Sequence, residues 1–135
     1  MPKQLATHTF TIAEPFEEAV RCVRSVLSSR GLKIVGELNV SGRIRKELRV
    51  GTAPCRLLLV CPRASVWESL GGDPGGMALT PLHVVLSGRG LHTEVHVLKT
   101  IPVSNDPLDQ PVLAAWSRLQ EEITEAIETV GMLTV

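Results

Sequence analysis

Cys55-Arg56-Leu57-Leu58-Leu59-Val60-Cys61-Pro62 is the stretch whose reading decides the fold. Six of its eight residues are apolar, and it lies between Pro54 and Pro62. A short apolar run bounded by prolines predicts a buried strand, because proline has no N–H to give to a ladder. Cys55 and Cys61 share the parity of that strand and so one face of it. A regular strand holds them roughly 20 Å apart, too far for a disulfide or a shared metal.

Working outward towards the N-terminus, Leu32–Val40 predicts a strand, with Leu32, Ile34, Val35, Leu38 and Val40 as its apolar content. Before it, Phe16, Ala19, Val20, Val23, Val26 and Leu27 recur with the period of one helix face. Pro15 suits the first helical position, Glu17 and Glu18 suit the positive end of the dipole, and Gly31 is the stop. Leu5–Ile12 alternates threonines against apolar residues and predicts a first strand. Ser41–Val50 fits either a short helix capped by Ser41 or a strand after a turn at Gly42.

Towards the C-terminus, Arg63–Leu70 predicts a short helix, and Gly71–Gly76 a glycine-rich turn. Met77–Ser87 and Leu91–Lys99 predict two strands joined as a hairpin through Gly88-Arg89-Gly90. Ser104–Pro111 is a loop. The last helix runs from about Val112 to Gly131, and the tail Met132-Leu133-Thr134-Val135 is apolar and needs a packing partner. Strands clustered between two long helices predict a single α+β domain over residues 1–135. It is an antiparallel sheet of four to five strands with two long helices on one face. The other sheet face is then a candidate dimer or ligand surface.

The chain of 135 residues is 44% hydrophobic, enough for one substantial core. Tyr is absent and the aromatics are Phe10, Phe16, Trp67 and Trp116, so Val, Leu and Ile must fill that core. The net charge is zero but lopsided: residues 1–67 carry 11 Lys/Arg against 5 Asp/Glu, and residues 68–135 carry 3 against 9. Complementary halves, within the fold or across a dimer, account for this. Three cysteines without a C-x-x-C pair point to a reducing compartment. With no signal-peptide pattern and no long apolar run, the expectation is a cytoplasmic protein without a membrane partner.

The helix ending in Gly31, the strand after it, and Pro54 to Pro62 resemble the family called domain of unknown function 302. In that family the central strand begins with Tyr and ends in Cys-Asn-Pro, and a Leu-Pro-Cys-Asn-Val stretch opens the next strand. Here Cys61 matches the Cys, and Leu79-Thr80-Pro81-Leu82-His83-Val84 is similar to the second stretch. Cys55 stands where Tyr is usual, the Asn before Pro62 is absent, and Leu82-His83 replaces Cys-Asn. The resemblance implies a β-α-β4-α sheet of the TATA-box-binding-protein-like type and a homodimer. It implies no activity, and it places a candidate ligand site at Cys61, Pro81 and His83.

The candidate chemistry is sparse. Cys61 precedes an expected helix start at about Arg63, a setting that lowers a thiol pKa; the competing reading is a small buried hydrophobe. His92, Glu94 and His96 share one face of a strand and are candidate metal ligands, although residues two apart are roughly 6.6 Å apart. The competing reading is a solvated face opposite Leu91, Thr93, Val95 and Val97. Gly71–Gly76 lacks the lysine and following helix of a phosphate cradle. Arg43, Arg45, Lys46, Arg49, Arg56 and Arg63 form a basic segment, but no aromatic residue interleaves it for base stacking, so nucleic acid is not expected. No nucleophile elbow or triad order is visible. The expectation is a homodimeric, non-catalytic module without a cofactor that binds a small ligand or a protein. Thiol chemistry at Cys61 and metal binding at His92, Glu94 and His96 are the alternatives.

Overall fold

The proline-bounded stretch is indeed a strand, and it lies inside a sheet of six. The computed structural model describes residues 7–61, 82–98 and 110–134. In chain order these form β1 (Thr7–Ile12), α1 (Phe16–Ser29), β2 (Lys33–Asn39), α2 (Val40–Leu48) and β3 (Cys55–Cys61). They continue as β4 (Leu82–Arg89), β5 (His92–Leu98), α3 (Gln110–Glu128) and β6 (Met132–Thr134). The sheet order is β2-β3-β4-β5-β1-β6, antiparallel throughout. The expected helix Arg63–Leu70, the glycine run and Pro81 lie outside the described residues.

One face of the sheet is packed against α1 and α3. Phe10 and Ile12 of β1, Leu58 and Val60 of β3, Leu82, Val84 and Leu86 of β4, and Val95 and Val97 of β5 are all buried. They meet Ala19, Val20, Val23 and Leu27 of α1 and Leu119, Ile123, Ala126 and Ile127 of α3. The helices bury these residues because their apolar positions fall on one stripe of a 3.6-residue period. Removing a side chain from the middle, as in Leu58→Ala, costs about 2–5 kcal/mol. Gly31 closes α1 with φ of 79°, and its N–H donates to Ser28 O at 2.9 Å. Glycine takes that left-handed turn without a Cβ clash.

Four expectations need correction. The sheet has six strands because the apolar tail, as β6, pairs with β1, setting Phe10 opposite Leu133. The 41–50 segment is a helix, and its cap is Asn39, whose Oδ1 accepts from Gly42 N at 2.9 Å. Ser41 Oγ is taken instead by the N–H of Cys55 at 3.1 Å, which ties the start of α2 to the start of β3. Pro15 is the N-cap of α1, one place earlier than read. Finally, the hairpin turn is Gly90-Leu91, since Arg89 and His92 are already paired. Gly88 therefore belongs to β4, and Leu91 sits in the turn at 86% exposure while Thr93, Val95 and Val97 are buried.

Candidate functional site

Strand parity decides what the second face of the sheet carries. Leu58 and Val60 point to the helices, so Cys55, Leu57, Leu59 and Cys61 take the other side. Register then aligns Leu38, Leu57, Val85, His96 and Thr9 in one row across five strands. A second row holds Cys55, Ser87, Glu94 and Thr11. The face thus carries an aliphatic patch, Leu38, Leu57, Leu59 and Val85, over β2, β3 and the middle of β4, and is polar over β5, β1 and the ends of β4. Leu57, Leu59 and Val85 are half-buried, and Leu38 is exposed. Leu38 also joins Val40, Ile44 and Leu48 of α2 in lining an open groove of about 350 Å³.

Cys61 lies at the end of β3 and is buried; Cys22, Cys55 and Cys61 are all free thiols. Leu59 is opposite His83, so His83 is the diagonal neighbour of Cys61 on the same face, at a spacing of roughly 7–8 Å. The structure therefore brings two of the three expected ligand-site residues to one corner; Pro81 lies outside the described residues. Burial pushes the Cys61 thiol up, and the Cys55 thiol likewise. That direction is opposite to activation, because a low-dielectric setting disfavours the thiolate.

His92, Glu94 and His96 do share the second face, but Glu94 and His96 are turned to different neighbours. Glu94 Oε1 accepts from Arg89 Nε at 2.7 Å. The Arg89 hydrogen bond, with the guanidinium charge behind it, holds the Glu94 carboxyl below its ordinary value. His96 Nδ1 lies 3.2 Å from Thr9 Oγ1 across the β5–β1 pair. Among the described residues, no three His, Cys, Asp or Glu side chains converge as a metal site. Ser87 Oγ is buried and has no hydrogen-bond partner among the described residues.

Arg56 leaves the basic segment altogether. Its parity is that of Leu58 and Val60, and its guanidinium lies 5.3 Å from the Phe16 ring centroid. It pairs with Glu17 at 3.2 Å and lies 3.9 Å from Glu37, which also pairs with Arg24. It is a cross-link between α1, β2 and β3, not a phosphate contact. Sequence reasoning also missed Thr9 and the Leu38–Leu57–Val85 row. Only strand register unites those residues, and a single sequence does not print register.

An antiparallel sheet with two helices on one face and a mixed aliphatic–polar second face defines an α+β module. The chain belongs to the family described as domain of unknown function DUF302, whose model matches residues 8–130. A crystal structure of an uncharacterized conserved DUF302 protein from Bacillus stearothermophilus has the same fold. It superposes with a TM-score of 0.79 at 13% identity, over 94% of this chain and 99% of that one. No curated protein matches the chain.

Proposed function

We propose that this chain is a non-catalytic binding module that self-associates through the second face of its sheet. The observation that carries this reading is the row Leu38, Leu57, Val85, with Leu59 beside it. One-sided antiparallel sheets normally alternate apolar-in and polar-out, so an aliphatic row on the side away from the helices asks for a cover. A second copy supplies one with the same chemistry, and a two-fold contact is the commonest solution. The polar half, with His96, Thr9 and Glu94, then forms the rim. Light scattering over a dilution series tests the reading: a mass twice that of the chain is expected, and a monomer at the highest concentration overturns it.

A second reading is favoured by one observation, the diagonal placement of His83 beside Cys61 at the corner of that face. It makes the corner a small-ligand site in which the thiol is protonated and acts as a weak hydrogen-bond partner. Alkylation by iodoacetamide followed against pH checks this. Modification of Cys61 should begin only above the range of an ordinary free thiol, about 8.5, and an onset below it would restore the thiolate alternative.

A further inference from the structure

We propose that the turn from α2 into β3 is a docking element for the surface of an anionic phospholipid bilayer. Every residue from Arg45 to Pro54 is exposed, and α2 buries none of its residues. Leu48 is 68% and Val50 53% exposed, although neither belongs to the aliphatic row on the sheet. Arg45, Lys46 and Arg49 flank Leu48 within three positions along the chain and make no ion pair among the described residues, whereas Arg43 is held by Glu47 at 3.1 Å. Arg49 adopts φ 56° and ψ 33°, a left-handed C-cap that favours glycine.

Unpaired cations that alternate along the chain with exposed aliphatic side chains suit the chemistry of an anionic bilayer surface. Headgroup phosphates meet the cations, and Leu48 and Val50 enter the boundary with the acyl chains. Nucleic acid fits the cations but gives the two aliphatic side chains nothing to enter, and no aromatic residue is present to stack on bases. A second copy fits less well: its α3 surface, with Glu121 and Glu128 exposed, offers carboxylates but no exposed aliphatic side chain among its described residues, and its aliphatic sheet row is engaged by the self-association proposed above. Contact is at the surface, since no helix among the described residues is long and apolar enough to cross a membrane.

Co-sedimentation of the full chain with lipid vesicles tests the proposal. Binding is expected to phosphatidylcholine vesicles containing phosphatidylglycerol, to vanish on pure phosphatidylcholine, and to weaken as salt is raised. The pair Arg45→Glu/Lys46→Glu should weaken it by more than about tenfold. The pair Leu48→Ser/Val50→Ser should also weaken it, while Arg118→Glu on α3 should leave it unchanged. Far-ultraviolet circular dichroism of each variant excludes loss of fold as the cause. Equal binding to neutral and anionic vesicles, no binding to either, or binding indifferent to Leu48→Ser/Val50→Ser overturns the proposal. The last result together with tight duplex DNA binding would make the turn a polyanion surface instead.

Discussion

A guanidinium packed on an aromatic ring, with two carboxylates in reach, is what Arg56 contributes to the fold. The side chain is only 16% exposed, so its interactions are shielded more than those of a surface pair. Arg56→Ala is expected to cost about 2–3 kcal/mol, from the lost charged hydrogen bonds and the cation–π contact, as read by urea unfolding. A loss indistinguishable from that of Arg21→Ala, an exposed pair on α1, would remove the cross-link. The sequence could not announce this role. It shows Arg56 among other cations, and only the alternation with Leu58 and Val60 hints that the side chain points to the core. Glu94 gives a second expectation at this scale. Its pKa is depressed by Arg89, so the pair stabilises the fold above the ordinary Glu range and loses that effect as pH falls through the depressed value. In Arg89→Ala the Glu94 carboxyl midpoint, followed by NMR, should rise towards the ordinary range; an unchanged midpoint would refute the assigned cause.

Among the elements, α1 was the most legible and α2 the least. The apolar residues of α1 recur on a stripe that the sheet then buries, so period and burial agree. Residues 41–50 offer no such agreement. Val40, Ile44 and Leu48 do share a helix face, but none of them is buried, so local capping at Asn39 and the Arg43–Glu47 pair decide for a helix. Those terms are worth about 1 kcal/mol or less each, below what pattern reading resolves. The left-handed Arg49 leads to a measurable exchange between stability and binding. Arg49→Gly relieves the Cβ clash and should stabilise the protein by up to about 1 kcal/mol in thermal or urea unfolding. A destabilised variant would mean that the Arg49 side chain holds the turn in place. By the docking proposal, the same change should reduce association with anionic vesicles. The hairpin shows a different limit. Three glycine-flanked residues at 88–90 allow two registers of the turn, and the observed one keeps Thr93 in the core, where its Oγ1 donates to Glu14 O at 3.0 Å.

At the scale of the whole molecule, the layer arrangement follows from the order of elements, but the face proposed for association does not. Leu57 and Val85 read as ordinary strand residues until pairing sets them side by side. Leu57→Lys or Val85→Lys should therefore convert a dimer to a monomer in light scattering, with little effect on secondary structure, because both side chains lie outside the helix-facing core. A charge there that leaves the mass unchanged would place the contact elsewhere.

The two ends of the sheet narrow how copies can meet. β2 forms one margin, where the register slips between Ile34 and Gly36 and Lys33 and Glu37 bring charge. At the other margin, β6 pairs with Thr9, Phe10 and Thr11 of β1 through only three residues of its own. An irregular, charged border and a very short one are poor templates for another chain's ladder. Strand-by-strand growth into a filament is thereby discouraged at both borders, which agrees with the proposed contact through the broad face.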